Sequence, residues 1–411
     1  MIFTGFQPNT TKKDLHRALL FLLLPWNWRK LKHGNANTAV VSWLKDYFKV
    51  PYVYTCDSGR SALHIALQAL NVGHSDEVLV QAYTCMVVSN AINWTGAKPI
   101  YVDILDDFTM DSEDLEKKIT PRSKVLIIQH TFGTPAQVGR LIEIAKKYNL
   151  KIIEDCAHSF GAARSGQLTG MFGDIGMFSF GTDKVVSCQR GGALITTNPD
   201  ISNKIEGIWN KLPVMKLGKI IQYLLNYPLF AIGKPLYKYG IGKFFLAVAK
   251  KLNITGRIMY ESEKKGKQIS GFPSKMPNAF AGILIDQLKL LTAFNDHRKK
   301  IAEIYTTNIK KSSVIVPNLS NDSIILRFPL LVSEPFRLHT HAKKNNIILG
   351  TWYDTVIAPK DCNIEASGYL PGSCPYAERL SAQTVNLPTD IHISENDALQ
   401  ICDIINKYQN L

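Results

Sequence analysis

The chain has 411 residues, of which 45% are hydrophobic, and a formal charge of +14 at pH 7. This length allows two or three domains with a large core, and the composition excludes a disordered or collagen-like chain. The positive charge is concentrated, since residues 207–260 contain eight Lys and one Arg but no Asp or Glu. The sequence therefore predicts an ordinary globular protein that carries one strongly basic segment.

The N-terminal segment and the cysteines indicate in which cellular compartment the protein lies. Lys12, Lys13 and Arg17 precede an apolar run that is similar to a signal peptide, but no small-residue cleavage site follows it. We therefore expect an apolar N-terminal arm, residues 1–33, that packs on the rest of the protein. The seven cysteines form no C-x-x-C pair, which favours reduced thiols in a cytoplasmic protein over disulfides or a metal site. No stretch has the roughly 20 apolar residues that cross a bilayer.

From about residue 50 to 200, short apolar runs alternate with helical periods, which predicts an α/β fold with a mostly parallel sheet flanked by helices. The predicted helices are 59–70 and 141–148, and the predicted strands are 78–80, 99–102, 125–128, 152–153 and 191–196. These elements define a large domain over residues 34–206.

The second half of the chain differs in pattern. Residues 207–268 form the basic, apolar insertion, and residues 269–411 form a smaller C-terminal α+β domain with linking helices. In that domain the periodicity predicts helices 279–291, 298–309 and 395–407 and strands 325–332 and 384–387.

Two segments offer charged groups at the carboxyl ends of predicted strands, where open α/β sheets bind ligands. Asp155 ends an apolar strand, where its carboxylate could bind a cation, a sugar hydroxyl or a protonated ring nitrogen. Lys184 lies in a Gly- and Ser-containing turn, and partial desolvation there would lower its pKa and make it a nucleophile. The alternative for Lys184 is a solvated loop lysine.

Two further segments could contact a ligand, one through backbone N–H groups and one by covering it. The turn 57–61 precedes helix 59–70, and the free N–H groups at a helix start favour an anion such as phosphate. Ser58 could instead be an ordinary N-cap. Cys85 follows strand 78–80, where a side chain could cover a flat ligand or simply pack in the core. The dinucleotide and P-loop glycine fingerprints are absent from the sequence.

In order and spacing, these segments resemble the DegT/DnrJ/EryC1/StrS family of pyridoxal-phosphate-dependent sugar aminotransferases, which have the fold type I architecture. The resemblance covers about residues 34 to 407. The motifs that carry it are Ser58-Gly59-Arg60-Ser61-Ala62-Leu63, Glu154-Asp155-Cys156-Ala157-His158, Gly173-Asp174, Phe178-Ser179-Phe180, Lys184, Gly191-Gly192-Ala193 and Asn386-Leu387-Pro388.

The resemblance implies a role for each matching residue. Lys184 would form the covalent link with pyridoxal 5'-phosphate and move a proton between cofactor and substrate, Asp155 would pair with the ring nitrogen, and His158 would lie near the ring's phenolate oxygen. The implied cofactor-binding residues are Ser58, Gly59, Arg60, Ser61, Cys85, Asp155, His158, Ser179 and Lys184.

Three departures from the family pattern change these expectations. Arg60 stands where the family usually has Thr, so a cation would replace a hydroxyl at the phosphate. Cys85 occupies the usual aromatic position, which leaves Tyr83 or no residue to stack on the ring. Pro273 replaces the Asn that relatives lend to the neighbouring subunit's phosphate, and a proline cannot provide that amide.

The resemblance implies a homodimeric transaminase that moves an amino group from an amino acid, with glutamate expected, to a ketosugar, expected to be nucleotide-linked, in polysaccharide or amino-sugar biosynthesis. Lys184 argues against the related dehydration chemistry, which uses His. The alternatives are an enzyme acting on a lipid-linked or non-sugar keto substrate and a non-catalytic relative, against which Lys184 and Asp155 speak together.

The basic insertion has two interpretations. Its mixture of Lys with Leu, Ile, Phe and Tyr is typical of interfacial helices, so residues 217–252 could contact the inner membrane surface. It could equally fold over the active site or a subunit interface. No nucleic-acid-binding motif accompanies the charge, and we expect no nucleic-acid partner.

Overall fold

The structure is a computed structural model that describes residues 1–5, 7, 9–310, 314–320 and 322–408. The strands are β1 Ile2–Phe3, β2 Tyr52–Cys56, β3 Glu77–Gln81, β4 Thr84–Cys85, β5 Lys98–Val102, β6 Ser123–Gln129, β7 Lys151–Asp155, β8 Ala163–Arg164, β9 Gln167–Leu168, β10 Ile175–Ser179, β11 Gly192–Thr196, β12 Arg327–Leu331, β13 Ile347–Ile348, β14 Ile357–Ala358 and β15 Thr384–Pro388.

The helices are α1 Lys12–Leu23, α2 Arg29–Lys32, α3 Ala36–Phe48, α4 Gly59–Ala69, α5 Met86–Asn93, α6 Ser112–Lys118, α7 Val138–Lys147, α8 Pro199–Asn210, α9 Leu217–Leu224, α10 Asn226–Gly233, α11 Ile241–Lys251, α12 Glu261–Lys264, α13 Asn278–Leu288, α14 Leu291–Asn308, α15 Pro335–Lys344, α16 Pro375–Gln383 and α17 Glu395–Lys407. Short 3-10 turns cover Pro25–Asn27, Thr131–Gly133, Tyr237–Tyr239 and Glu365–Ser367.

A central sheet organises the large part of the molecule, with the strand order β2-β11-β10-β7-β6-β3-β5. Its strands run parallel except β11, which pairs antiparallel with both β10 and β2. Strands β3 and β6 contain the apolar runs 78–80 and 125–128, whose side chains are buried on both faces of the sheet. The predicted α/β fold with a mostly parallel sheet is confirmed.

The parallel strands direct several loops to one edge. β2, β3, β6, β7 and β10 all end at the same side of the sheet, since neighbouring parallel strands share their direction. The loops after these strands carry the segments for which the sequence predicts ligand contacts. The fold therefore brings residues far apart in sequence to one sheet edge.

A second core lies towards the C-terminus. β12 and β15 pair antiparallel, and their apolar residues pack with α14, α15 and α17 in a hydrophobic cluster separate from the one beneath the central sheet. The predicted strands and the closing helix 395–407 are confirmed there. The domain boundaries drawn from the sequence stay a prediction.

The linking helices differ from the sequence prediction. The expected helix 279–291 ends at Leu288, and the next helix begins at Leu291 rather than at Arg298. The prediction was wrong because Leu291, Phe294 and Asn295 are buried, so the segment between the two predicted helices is itself helical and packs in the core.

The N-terminal arm and the basic insertion lie together. α1 begins with a capping box between Thr11 and Asp14, and Lys13 and Arg17 form ion pairs with Asp286 of α13. α1 also packs against α10 of the insertion, and α10 packs against α11. Within the described ranges, every helix is too short or too polar to cross a membrane.

Candidate active site

A cavity of about 350 Å³ opens at the carboxyl edge of the central sheet. Its wall contains eight of the nine residues for which the family resemblance implied cofactor contacts. They are Ser58, Gly59, Arg60, Cys85, Asp155, His158, Ser179 and Lys184. Ser61 is outside the lining, because its hydroxyl donates to Asp57 (2.8 Å) and its N–H donates to Ser58 (3.3 Å).

The start of α4 forms one side of the cavity. Ser58 is extended and caps the helix, and helix geometry leaves the N–H groups of Gly59 and Arg60 without intrahelical acceptors. A Cβ on Gly59 would lie 2.6 Å from Cβ of Ser179, and a Cβ on Gly192 would lie 2.4 Å from the Ser58 carbonyl. Both positions require glycine because three loops meet here, and the result is a cradle suited to an anion.

A buried ion pair supports this cradle from below. The Asp57 carboxylate accepts hydrogen bonds from the Arg190 guanidinium (3.0 Å from Nε) and from the Ser274 N–H (2.8 Å). The guanidinium carbon of Arg190 lies 4.0 Å from the ring centroid of Phe272. The segment 271–276 is thus bound to the turn before α4 in its own chain, and Pro273 supplies no donor there.

Arg60 does not point its charge freely into the cradle. Its guanidinium forms a buried ion pair with Glu263 of α12 and donates to the carbonyl of Ile258. The Arg60 guanidinium is therefore engaged by Glu263 and Ile258, and it holds the end of the insertion over the cavity. Ile258 and Met259, from that same segment, line the cavity.

Lys184 and Asp155 lie in the same buried environment. Burial lowers the pKa of Lys184, and the nearby Asp155 carboxylate only partly opposes that shift. Burial raises the pKa of Asp155, although one of its oxygens accepts the Ala157 N–H at 3.0 Å. Lys184 is consequently no solvated loop lysine, and its amine is unprotonated more readily than an exposed one.

His158 is neutral, and its hydrogen bonds define its tautomer. Burial lowers its pKa well below the usual value, and the charges of Lys184 and Arg327 add to that effect. The Phe132 N–H donates to Nδ1 (3.3 Å), so the ring proton is on Nε2, which faces the Tyr353 hydroxyl at 3.5 Å. His158 can therefore act as a hydrogen-bond donor towards the cavity.

Sequence reasoning missed the part of the wall that the C-terminal segment supplies. Trp352 stacks on His158 with ring centroids 5.2 Å apart, and Nζ of Lys184 lies 5.0 Å from the Trp352 ring. The Arg327 guanidinium covers the same ring at 3.5 Å and lies 3.6 Å from the Asp183 carboxylate. No local motif marks Trp352 or Arg327, because only the tertiary fold brings them to the sheet edge.

The suggestion that Tyr83 stacks on a ring in the cavity is wrong. Tyr83 is fully buried, with its ring against Phe108 and Phe132 and its hydroxyl accepting the Tyr353 N–H at 2.9 Å. Its left-handed backbone conformation turns the side chain into the core rather than into the cavity. Cys85 does line the cavity, and burial raises the pKa of its thiol.

A buried cluster next to the cavity has a structural role. Ligand atoms of His130, Glu154 and Cys156 lie within 4.8 Å of one another, which is close enough to hold a metal. The Glu154 carboxylate, however, accepts three N–H groups from residues 170–173. His130 accepts the Ala136 N–H at Nδ1 and faces Glu154 with Nε2. Both ring nitrogens are thus occupied, and the cluster fastens the loop after β9.

The residues present fit a phosphorylated pyridine aldehyde. The glycine cradle would take the phosphate, Lys184 would bind the aldehyde carbon, and Asp155 is the buried acid for a ring nitrogen. The Asp183 Oδ1 atom, also in the wall, is buried without a hydrogen-bond partner among the described residues. Fold and site together define a pyridoxal-phosphate-dependent aminotransferase.

Comparison with known proteins identifies the family. The model of the DegT/DnrJ/EryC1/StrS aminotransferase family matches residues 24–406, so the chain belongs to that family. It is 28% identical to GDP-perosamine synthase of Escherichia coli O157:H7 over 98% of this chain and 97% of that protein. It is 26% identical to dTDP-3-amino-3,6-dideoxy-alpha-D-galactopyranose transaminase of Aneurinibacillus thermoaerophilus, over 88% of this chain and 87% of that one.

Solved structures show the same fold. NtdA from Bacillus subtilis, determined with bound cofactor PMP, superposes with a TM-score of 0.74 at 22% identity. The alignment covers 98% of this chain and 84% of that one. The predicted fold type I architecture is therefore confirmed.

Proposed function

We propose that the protein transfers an amino group from an amino acid, with glutamate as the expected donor, to a nucleotide-linked ketosugar in amino-sugar or cell-surface polysaccharide biosynthesis. The observation that carries the proposal is that Lys184 and Asp155 share one buried cavity with the start of α4. Two relatives aligned over most of their length are named for GDP- or dTDP-linked amino sugars, which supports the substrate class.

Three polar residues of the wall, Lys184, Asp155 and His158, have a task in this reaction. When bound, pyridoxal phosphate supplies a conjugated ring that takes up the electron pair released at the amino-acid carbon. Lys184 binds the cofactor and, once released, accepts and returns the substrate proton at Nζ, which its lowered pKa favours. Asp155 holds a proton on the ring nitrogen, and His158 donates from Nε2 towards the ring oxygen.

The phosphate is held by backbone rather than by free cations. Gly59 and Arg60 offer N–H groups at the start of α4, which Ser58 caps through its hydroxyl, and Ser179 offers a hydroxyl. We assign the Arg60 side chain to Glu263, and therefore to the position of the segment that closes the cavity. The protein would act as a homodimer, as is typical of the family, without an amide donor at Pro273.

Arg257 is the residue of the insertion that we assign to an acidic substrate. Its side chain lies in the cavity wall, is 26% exposed and is 4.0 Å from Glu261, so it remains reachable from solvent. A nucleotide-linked sugar carries its diphosphate far from the reacting carbon, towards the solvent-reachable part of the wall, whereas both carboxylates of glutamate lie within a few bonds of its amino group. Arg257 would therefore act on binding of the sugar and not on binding of the amino acid.

The two half-reactions test the proposal. Purified protein saturated with pyridoxal phosphate should lose the absorption band of the lysine-bound cofactor on addition of L-glutamate, and nucleotide-linked ketosugars should restore it. Arg257→Gln should raise the concentration of sugar required while leaving the glutamate step unchanged. Free ketosugars that restore the band as well as nucleotide-linked ones would contradict the substrate class, and no response to any amino acid would contradict the transaminase.

A further inference from the structure

The hairpin of α10 and α11 exposes an apolar surface that the catalytic site does not use. We call it the α10–α11 surface, and its residues are between 37% and 72% exposed. They are Ile232, Leu236, Tyr239, Ile241, Phe244, Val248 and Leu252.

The exposed large apolar residues of α11, with Leu252 directly after it, form one stripe. Ile241, Phe244, Val248 and Leu252 are spaced at i, i+3, i+7 and i+11, which places them within an arc of about 80° on a helix. α11 packs on α10 through a different side, where Gly242 and Ala249 are buried and a Cβ on Gly242 would lie 2.1 Å from the Gly233 carbonyl. The stripe is thus separate from the face that holds α11 on the protein.

Positive charge surrounds this surface. Lys238, Lys243, Lys250 and Lys251 are exposed on the same hairpin, and residues 207–260 contain no acidic side chain. Exposed apolar residues with flanking Lys are typical of helices that lie in the interface of an anionic bilayer. Neither feature is required for amino transfer in the cavity.

We propose that the α10–α11 surface docks the protein on a bilayer that contains anionic lipid. The charge favours this occupant over a second copy of the chain, because a two-fold interface would place the basic hairpin against its own copy. A bilayer instead offers hydrocarbon for Phe244 and Ile241 and negative headgroups for the lysines. The two helices would lie in the membrane interface, since they are too short to cross the bilayer.

Vesicle co-sedimentation of the full-length holoenzyme tests the proposal. The protein should sediment with vesicles that contain phosphatidylserine, sediment less at high salt, and remain in solution with pure phosphatidylcholine. The double substitution Ile241→Ser and Phe244→Ser should weaken binding by roughly tenfold or more, because both side chains would otherwise leave water. The double substitution Lys250→Glu and Lys251→Glu should also weaken vesicle binding, because it reverses two charges while leaving the exposed apolar side chains in place.

Phe336→Ser is the matched control. Phe336 is 82% exposed on α15, outside the hairpin, so its substitution removes an exposed aromatic ring without touching the α10–α11 surface. It should bind vesicles as the unchanged protein does. No sedimentation of the unchanged protein with anionic vesicles would overturn the proposal. So would a dimer that dissociates on the Ile241→Ser and Phe244→Ser substitutions, which would assign the surface to a second copy.

Discussion

The cavity and the basic insertion both contain several cationic side chains, but the buried ones around the cavity are paired with carboxylates and those on α11 are exposed to solvent. Around the cavity, Arg60, Arg190 and Arg327 are buried, and each lies beside a carboxylate, of Glu263, Asp57 and Asp183 respectively. On α11, Lys243, Lys250 and Lys251 are exposed in a segment without acidic residues.

The difference follows from the cost of desolvating a charge. A buried cation needs a fixed partner, so the charges near the cavity build its walls and cancel in the net charge. Exposed lysines need no fixed partner, and residues 207–260, with eight Lys, one Arg and no acidic residue, supply nine of the fourteen net positive charges. The net charge of the chain thus reflects mainly the insertion, whereas the paired charges around the catalytic site contribute almost nothing to it.

Lys184 should be the most sensitive position in the cavity. Lys184→Ala removes both the covalent link to the cofactor and the group that moves the proton, so we expect the rate of amino transfer to fall by at least about a thousandfold. Lys234→Ala is the control, since burial also lowers the pKa of Lys234, which is not among the residues lining the cavity. Steady-state assays of both variants measure the effect, and a Lys184→Ala enzyme with near-normal activity would contradict the assignment.

Breaking the buried pair under the cradle should cost stability. Arg190→Met leaves Asp57 buried without its cation, and we expect the free energy of unfolding to fall by about 3–5 kcal/mol. Adding Asp57→Asn should recover part of the loss. Urea denaturation can compare these variants with Arg140→Met, which removes two exposed ion pairs, to Glu116 and Glu143, and should cost far less stability. Equal losses for Arg190 and Arg140 would contradict the contrast between paired and exposed charge.

Substitution of Asp155 should reduce the rate of amino transfer less than substitution of Lys184. Asp155→Asn keeps the shape but removes the charge that holds a proton on the ring nitrogen, and we expect kcat to fall about a hundredfold. The exposed Asp200→Asn provides a control on the large domain. If Asp155→Asn binds pyridoxal phosphate and turns over as the unchanged enzyme does, the pairing with the ring is refuted.

The smallest expected effect is on the pH dependence of stability. His158 is neutral when folded because burial lowers its pKa, whereas the unfolded chain takes up a proton near pH 6.5. The unfolded state therefore binds more protons, and stability falls as the pH drops below about 6.5. His158→Asn should reduce that slope by up to about 1.4 kcal/mol per pH unit in cofactor-free protein. Thermal unfolding across pH 5 to 7 measures this slope, with the exposed His16→Asn as the control. The same slope in His158→Asn as in the unchanged protein would contradict the prediction.

The sequence predicted those features of the structure that depend on interactions between residues close together in the chain or on the direction of the strands. Helix 395–407 has the predicted bounds because Ser394 and Asp397 form a capping box at its start. Asp155 and Lys184 could be placed because parallel strands end at one sheet edge. Trp352 and Arg190 could not, since their positions depend on packing between distant segments.

The exposed hairpin was visible only as composition. The sequence showed a basic, apolar segment but could not tell whether its apolar side chains would be buried. Phe244 is 72% exposed, while Tyr223 of the same segment is buried against Phe280. The periodicity is helical at both positions, and only the tertiary packing distinguishes a face covered by protein from one that is not.

Chemical trapping of the cofactor tests the central claim most directly. Borohydride reduction of the holoenzyme fixes any covalent link between pyridoxal phosphate and a lysine, and peptide mass spectrometry then locates it. We predict that the pyridoxyl group is found on Lys184. A label on Lys234, Lys275 or any other lysine in place of Lys184, or no label on saturated protein, would contradict it.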